Sequence, residues 1–322
     1  MLGAGSVDGE RPVKREPNAV PTDRAGRSEQ GRVMVATCAA CGASTAGHLP
    51  SRPRPRTPKA AMSSHAQPLP PTSERNRGVK TILITCGPTF EPIDAVRFIG
   101  NRSSGRMGLA IAAAAMAKGW AVRVLSGPGV ATSGLRGGPE GNTLAVVMEF
   151  RTTADLQALL ARELAGADVL VMAAAVADYR PRAVEGVDRE TVKFRRSEGG
   201  LSIELEATPD LLAECSRNRR PGQVLVGFAL EPRERLVESA TSKLERKGVD
   251  AIVANPLATM DSPTIEGVLV TRAGVLTPGS GGLGQRGIGE PMSKEAFAAW
   301  LMDQIEHMHA AARLLVERGA KA

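Results

Sequence analysis

The chain has 322 residues, enough for one large domain or two ordinary ones, and 42% are hydrophobic, which allows a sizeable core. Only 3% are aromatic, so that core must be aliphatic. The net charge of +7 lies in residues 1–80, which hold 13 basic and 6 acidic residues, while the other 28 basic and 28 acidic residues cancel. The rest of the chain therefore carries no broad phosphate-binding footprint, and no nucleic-acid partner is expected.

Cysteine content and hydropathy exclude secreted and membrane classes. Four cysteines, Cys38, Cys41, Cys86 and Cys215, do not make a disulfide framework, so a reducing, cytoplasmic location is expected. No apolar run reaches the ~18 residues that a membrane helix needs, and no membrane partner is expected. The N-terminus also lacks the apolar centre of a signal peptide.

Residues 1–78 are predicted to be a disordered, basic, Pro/Arg-rich tail. They contain no Phe, Trp or Tyr, and so cannot bury enough apolar surface to offset the entropy of ordering. Cys38 and Cys41 form a C-A-A-C pair that a metal or redox site could use, but without a second pair an incidental pair is favoured. Met62 offers an alternative start.

Residues 79–322 are predicted to form one α/β domain. Strands are predicted at 81–85, 120–128, 144–150, 168–176, 223–230 and 249–256. Helices are predicted to end at Gly119 and to span 153–166, 232–248 and 293–318, the last capped by Ser293. This alternation favours βαβ units and a mostly parallel sheet. Segments 192–196 and 201–207, joined around residues 199–200, are typical of a β-hairpin arm.

The connection after the first predicted strand is a candidate phosphate site, because ligands bind at the carboxyl ends of parallel strands. Its sequence is CGPTFEPIDAVRFIGNRSSGRMG, residues 86–108. Ser103, Ser104 and Gly105 precede a helix predicted to begin at Arg106, and offer backbone N–H groups and hydroxyls to an anion. Three arginines add cationic donors: Arg97, Arg102 and Arg106. An ordinary N-cap with solvated arginines is an equal alternative, since neither G-x-G-x-x-G nor G-x-x-x-x-G-K-[ST] is present.

Other strand ends carry weaker signals. In AAAVADYRP, small alanines let a flat ring approach the backbone, and Asp178 could hold a cation, bind a sugar hydroxyl or cap a turn. The cations of KFRR, residues 193–196, suit either a ligand or a solvated edge strand. Lys243 and Lys247 share a helix face, where flanking glutamates make surface ion pairs the ordinary explanation.

One further helix start is predicted at TPDLL, residues 208–212. Thr208 is expected to cap that helix and Pro209 to occupy its first position.

The order of these motifs resembles the phosphopantothenate–cysteine ligase family. The resemblance rests on GPTFEPIDAVRFIGNRSSGRMG, AAAVADYRP, KFRR, TPDLL, VGFALE and SKLERKGVDAIVAN, and covers about residues 79–315. It implies a Rossmann-like fold and a homodimer in which the hairpin arm helps to shape the neighbouring site. Bacterial members are usually fused behind a decarboxylase. Here the tail stands in that place, so a freestanding ligase is expected, with a separate decarboxylase elsewhere.

The resemblance also implies the reaction. CTP activates the carboxylate of 4′-phosphopantothenate with the help of Mg²⁺, which releases pyrophosphate and leaves an acyl-cytidylate. The amine of L-cysteine then forms the amide and releases CMP, a step of coenzyme A biosynthesis. Eukaryotic relatives use ATP.

Individual roles follow from the same resemblance. Asn101 is expected to contact the pantothenate chain and the activated acyl group, Lys193 to act with it at the triphosphate, and Asp178 to hold the metal. Substrate contacts are expected from Arg97, Asn101, Ser103, Ser104, Gly105 and Arg106. Nucleotide contacts are expected from Ala173, Ala174, Ala175, Asp178, Lys193, Pro209, Asp210, Leu211, Phe228, Lys243 and Lys247.

The sequence departs from the family pattern at three points. The arm motif K-I-K-K is KFRR here, which keeps the charge but changes its geometry. Thr208 replaces an asparagine expected at the nucleotide, which affects the choice of base. PTIEGVLV, residues 263–270, replaces the usual S-D-E-N-E-V stretch, so no role is assigned there.

Two alternatives remain open. A nicotinamide-dependent reductase needs a glycine fingerprint and an acidic ribose partner near the second strand, and neither is present in the sequence. A catalytically inactive nucleotide-binding protein differs from the ligase only in an activity assay.

Overall fold

The computed structural model describes residues 78–135, 145–196, 198, 200–260, 262–279 and 289–320. The predicted tail, apart from its last residue, lies outside the described residues, as do the Cys38 and Cys41 pair and Met62. The described residues form fourteen β-strands and five α-helices.

The strands are β1 (Thr81–Cys86), β2 (Phe90–Pro92), β3 (Phe98–Gly100), β4 (Ala121–Ser126), β5 (Ala145–Glu149), β6 (Val169–Met172), β7 (Tyr179–Pro181), β8 (Leu205–Ala207), β9 (Val224–Glu231), β10 (Ala251–Pro256), β11 (Thr264–Ile265), β12 (Val268–Thr271), β13 (Gly274–Leu276) and β14 (Met292–Ser293). The helices are α1 (Arg106–Ala117), α2 (Thr153–Glu163), α3 (Leu211–Arg217), α4 (Leu236–Lys247) and α5 (Lys294–Gly319).

Eight strands form one sheet in the order β13-β12-β10-β9-β6-β1-β4-β5. The six strands from β10 to β5 are parallel, and β12 and β13 extend the β10 edge in antiparallel pairs. In chain order the parallel strands run outward from β1 to one side and then from β6 to the other, which is the strand order of Rossmann folds. The predicted Rossmann-like, mostly parallel fold is confirmed, and all six predicted parallel strands are present.

The sheet is buried on both faces, as the apolar strands predict. Ile82 and Ile84 of β1 pack with α1 and α5 on one face, while Leu83 packs with α2 and α4 on the other. The core is aliphatic: Trp120 and Phe297 are the aromatic side chains found among the largest fully buried residues of the described ranges. The predicted Ser293 cap of α5 is confirmed, because its hydroxyl accepts the N–H of Ala296 at 3.1 Å.

The hairpin arm, defined here as residues 179–207, is present, but its strands pair differently from the prediction. β8 pairs antiparallel with β7, and residues 192–196 form no strand. The reason is that the backbone around Lys193 bonds elsewhere: the N–H of Ala95 donates to the carbonyl of Val192 at 2.9 Å. One of the two predicted turn residues, Gly199, lies outside the described residues.

The predicted cap at Thr208 is wrong, and so is the predicted placement of Pro209 at the first helical position, because Pro209 precedes the N-cap. α3 begins at Leu211, and the carboxylate of Asp210 caps it by accepting the N–H of Ala213 at 3.1 Å. The hydroxyl of Thr208 instead donates to the carbonyl of Ala177 at 2.6 Å, so it is not available to the helix.

The described residues include two of the four cysteines. Cys86 and Cys215 are unpaired and buried. Burial raises the pKa of Cys86 to about 11 and that of Cys215 to about 12, so both thiols stay protonated and unreactive at neutral pH. Within the described ranges no helix combines the length and apolarity that a membrane span needs.

Candidate active site

A cavity of about 1090 Å³ opens at the carboxyl ends of the parallel strands. Residues 101–108 form one wall, and residues 172–176 after β6 form another. These segments follow β1 and β6, between which the strand order reverses, and this is the position where such folds bind ligands. The ends of β9 and β10, the start of α3 and the exposed face of α4 complete the cavity.

Three glycines shape the turn from β1 into α1. Gly87 turns the chain with φ 85°, and Gly105 stands at the N-cap of α1 with φ 71°. A Cβ on Gly108 would lie 2.4 Å from the Cβ of Cys86, so the helix packs directly on the strand. In the G-x-G-x-x-G fingerprint, the three glycines make the tight turn, let the backbone approach the phosphates and allow close packing of helix on strand. Here residues 88–104 separate the first glycine from the other two. The fingerprint is not visible in the sequence, because the first glycine is far from the other two along the chain.

The N-terminus of α1 is suited to an anion. Within the described part of the chain no side chain caps this helix, and its first turn holds no acidic residue. Its first N–H groups and partial positive charge are therefore left for a ligand, and Ser103, Ser104 and Gly105 line the cavity beside them.

The alanine loop after β6, residues 173–177, is fixed by three side-chain hydrogen bonds. The hydroxyl oxygen of Thr85 accepts the N–H of Ala174 at 3.1 Å, and that of Thr89 accepts the N–H of Ala177 at 2.9 Å. The Nδ2 of Asn101 donates to the carbonyl of Val176 at 2.9 Å. Asn101 is thereby tied to the loop that was predicted to face the nucleotide.

Asp178 lines the cavity with an exposed carboxylate, and its backbone carbonyl accepts the N–H of Thr208 at 3.0 Å. The described residues hold no group of three or more His, Cys, Asp or Glu that could bind a metal. Mg²⁺ commonly binds through one or two carboxylates together with substrate phosphates and water. A single carboxylate at a phosphate site therefore fits a Mg²⁺ that arrives with a triphosphate.

The two predicted lysines of α4 line the cavity and pair with carboxylates distant in sequence. The Nζ of Lys243 lies 2.5 Å from a carboxylate oxygen of Glu231, and the Nζ of Lys247 lies 3.0 Å from that of Asp210. Partial burial opposes ionisation of Asp210, but hydrogen bonds from Lys247 and Ala213 outweigh it, so the pKa of Asp210 lies below its ordinary value. Both ammonium groups are thus held in place.

The cavity wall carries an excess of positive charge. Its described acidic residues are Asp178 and Asp210. Its cationic residues are Arg102, Arg106, Lys243, Arg246, Lys247 and Lys294. Such a wall favours a polyanionic ligand. Arg246 and Lys294 were not predicted: Arg246 adjoins Lys247, which was a usable signal, whereas only the tertiary structure brings Lys294 to the site.

The structure brings together all the predicted site residues except Arg97 and Lys193. Arg97 forms an ion pair with the buried Asp94, and its Nη2 donates to the carbonyl of Phe194 at 3.1 Å. Lys193 is exposed on the arm and does not line the cavity of its own chain. Neither residue lines the cavity of its own chain, so their expected contacts with anionic ligands stay predictions.

Comparison with known proteins gives a family match and several relatives. The family model described as DNA/pantothenate metabolism flavoprotein C-terminal domain matches residues 78–308. The Coenzyme A biosynthesis bifunctional protein CoaBC of Bacillus subtilis (strain 168) is 38% identical over 176 residues, which cover 55% of this chain and 40% of that protein. A cysteine/cysteine sulfinic acid decarboxylase from an unknown prokaryotic organism is 38% identical over 185 residues, 58% of this chain and 48% of that protein.

The chain thus spans less than half the length of these curated relatives. The crystal structure of the C-terminal domain of CoaBC is similar with a TM-score of 0.51 and 32% identity. That match covers 71% of this chain and 95% of the domain. The similarity therefore concerns the C-terminal part of the bifunctional protein.

Proposed function

Because the chain belongs to the DNA/pantothenate metabolism flavoprotein C-terminal domain family, we propose that it is a ligase joining 4′-phosphopantothenate to L-cysteine. CTP is the proposed co-substrate, Mg²⁺ the proposed metal, and coenzyme A biosynthesis the proposed setting. The names of the CoaBC relatives support that setting.

One observation carries the proposal. Asn101, Asp178 and Lys243 come from three separate parts of the chain and line one cavity at the switch point of the sheet. The anion-binding end of α1 lies in the same wall. A single pocket can therefore hold a phosphorylated acid beside a nucleotide triphosphate.

The first chemical step joins two anions, so its main requirement is charge compensation. A carboxylate oxygen of phosphopantothenate attacks the α-phosphorus of CTP, and the bond from that phosphorus to pyrophosphate breaks. Lys243 and Lys247 offset the charge on the triphosphate and on the departing pyrophosphate, and the N–H groups at the start of α1 offset the charge on phosphopantothenate. Asp178 would hold Mg²⁺, which supplies further compensation at the phosphates.

The second step requires orientation more than a strong base, because the acyl group is already activated. The cysteine amine attacks the acyl carbon, CMP leaves with the electron pair of the acyl–oxygen bond, and the amine loses a proton. Asn101 is fixed through its bond to Val176, so it can orient the acyl group without moving.

The arm supports a homodimer in which each chain completes the partner's site. Arg97 and Lys193 lie outside the cavity of their own chain, so a second chain is a natural place for them to act. Large apolar side chains are exposed on the arm and on the neighbouring β2–β3 hairpin: Val96, Phe98, Tyr179, Val184, Val192, Leu201 and Leu205. Such a surface is typical of a protein interface. The unpaired thiols of Cys86 and Cys215 support a reducing compartment such as the cytoplasm.

A pyrophosphate-release assay tests the proposal. The protein is incubated with Mg²⁺, 4′-phosphopantothenate and each of CTP, ATP, GTP and UTP in parallel. We expect release with CTP that depends on phosphopantothenate, and amide product when cysteine is added. Absence of phosphopantothenate-dependent release with all four nucleotides would contradict the ligase and favour an inactive nucleotide-binding protein.

Asn101→Ala tests the placement of the site. Loss of a fixed hydrogen-bonding group at the reacting centre should lower kcat/KM for amide formation by about 100-fold or more. Asn218→Ala is a matched control, because Asn218 is exposed at the end of α3 and does not line the cavity. Full activity of the Asn101 variant would show that the reaction occurs elsewhere.

The structure does not favour a nicotinamide-dependent reductase, although the split glycine fingerprint resembles a dinucleotide site. The second strand of such a site ends near an acidic residue that binds ribose. Here β4 ends at the buried Ser126, followed by Gly127, whose added Cβ would lie 2.2 Å from the carbonyl oxygen of Pro88. We therefore expect no change in NADH or NADPH fluorescence on titration.

A further inference from the structure

Asp94 is buried at the turn between β2 and β3 with 1% of its surface exposed. Its two carboxylate oxygens have separate partners. Oδ1 accepts the N–H groups of Val96 and Arg97 at 2.9 and 2.8 Å, which closes the turn. Oδ2 accepts the Nε of Arg97 at 3.0 Å and the N–H of Phe194 at 3.1 Å, which ties the turn to the arm.

Further bonds make this connection rigid. The N–H of Ala95 donates to the carbonyl of Val192 at 2.9 Å, and the Nη2 of Arg97 donates to that of Phe194 at 3.1 Å. Lys193 therefore lies between two residues whose backbones are bound to the turn. From the other side, Arg189 donates through Nη1 to the carbonyl of Ile93 at 2.9 Å.

The same turn leads directly into the active site. β3 starts at Phe98, immediately after Arg97, and ends at Gly100, which precedes Asn101. One buried carboxylate is thus bonded to the segment that carries Lys193, to Arg97, and to the turn that feeds Asn101.

We propose that Asp94 is a positioning residue of the ligase site, which holds Arg97 and the Lys193 segment in fixed register with the strand leading to Asn101. It does not line the cavity of its own chain. It determines where the two cations stand, whether they act in the cavity of their own chain or of a partner. The part of this inference that concerns ligand binding rests on the proposed function, and the structural part does not.

The chemistry of the site explains why a carboxylate is needed. Every group that faces Oδ2 is a hydrogen-bond donor, so Oδ2 must be an acceptor. In Asp94→Asn the amide oxygen can keep the Oδ1 contacts, but the amide nitrogen then faces the donors of Arg97 and Phe194. This variant therefore removes the Oδ2 link between the arm and the turn while it keeps the turn closed, and the remaining hydrogen bonds between the arm and the turn lose the support of that link.

The structural test uses hydrogen exchange of the free protein without substrates. In Asp94→Asn we expect faster amide exchange at residues 192–194, with exchange in β1 and β6 unchanged. Asp188→Asn is the matched control, because its carboxylate accepts the N–H of Glu190 and the hydroxyl of Thr191, each at 3.0 Å, and both partners lie within the arm. Unchanged exchange at residues 192–194 would overturn the proposal. Altered exchange throughout the sheet would also overturn it, because Asp94 would then act as a general stability residue.

The functional test is a coupling experiment on the dissociation constant of CTP measured by calorimetry. We expect Asp94→Asn to weaken CTP binding by on the order of tenfold. We also expect no further weakening when it is added to an Arg97→Met, Lys193→Met double variant, because the residues it positions are then absent. A further tenfold loss in that background would show that Asp94 acts by another route.

The two tests distinguish the proposals. If the wild-type protein released no pyrophosphate, the ligase assignment would fail, while the exchange experiment would still decide whether Asp94 joins the arm to the turn. Arg97→Lys provides a second variant in case Asp94→Asn folds poorly. It keeps the charge but loses the forked contact, and should increase exchange at the same residues to a smaller extent.

Discussion

At the scale of single residues, the candidate site depends on side chains held by specific partners rather than on unusual chemistry. Asn101 is bonded to Val176, Lys243 to Glu231 and Lys247 to Asp210, so these groups are oriented before a ligand arrives. Preorganisation of this kind lowers the cost of placing two anionic substrates together. Glu306 on α5 also has several hydrogen-bond partners, and we expect these contacts to stabilise the fold.

Glu306 joins three elements of the fold. Its carboxylate accepts hydrogen bonds from Lys80 and Lys118, each at 3.0 Å, and from the Nε1 of Trp120 at 3.1 Å. Burial opposes its ionisation, but these donors outweigh that effect and lower the pKa of Glu306 from its ordinary 4.5 to about 2.

Glu306→Gln should therefore destabilise the protein at neutral pH by about 1–2 kcal/mol. Because the folded pKa is depressed, this stabilisation is present above pH 4.5 and is lost as pH falls from 4.5 towards 2. Urea unfolding at pH 7 and pH 3 measures the difference. Glu317→Gln is the control, since its pair with Arg313 is exposed and 3.7 Å long. A Glu306→Gln effect that stayed constant between the two pH values would contradict this account.

At the scale of elements, the site depends on how closely α1 approaches β1. Gly108 allows the approach, and any side chain there would collide with the backbone-proximal Cβ of Cys86 rather than with a flexible tip. The position of the helix N-terminus relative to the cavity follows from this contact.

Gly108→Ala should move α1 away from the sheet and destabilise the protein by about 1–3 kcal/mol. It should also weaken phosphopantothenate binding, because the N–H groups at the helix start are displaced from the phosphate. Thermal unfolding and calorimetry measure the two effects. Gly134→Ala is a suitable control, because no atom lies within 4 Å of its added Cβ. Normal stability and normal binding in Gly108→Ala would show that the packing is looser than described.

At the scale of the whole molecule, the proposed dimer places each arm at the partner's cavity. The exposed apolar side chains of the arm and the position of Lys193 outside its own cavity both support this arrangement. It implies that residues from two chains share one catalytic site.

Mixing two inactive variants tests this sharing. Asn101→Ala and Lys193→Ala should each be inactive or nearly so, and the mixture should recover activity after subunits exchange. Half of the randomly formed dimers then contain one intact site, so about a quarter of wild-type activity is expected. Pyrophosphate release and sedimentation measure activity and assembly together. If mixed dimers form without any recovery, Lys193 acts within its own chain.

Most of the fold was predictable because its signals are local. The apolar strands 81–85 and 223–230 and the amphipathic helix 293–318 can be recognised from residue type and periodicity within short windows. The short strands β2, β3, β7, β11, β12, β13 and β14 were not predicted, since two to four residues carry too little pattern. The pairing of the arm was predicted wrongly, because the partner of residues 201–207 is separated from it by the segment that binds the β2–β3 turn.

The sequence by itself determined the alternating α/β architecture, the candidate loops at the strand ends and the resemblance carried by the run around Asn101. Only the tertiary structure decided that Lys243, Asp178 and Asn101 share a cavity, that Gly87, Gly105 and Gly108 form one split fingerprint, and that Arg97 and Lys193 lie outside the cavity. The physical reason is that periodicity and capping are set by neighbours along the chain, whereas these features depend on contacts between residues far apart in sequence.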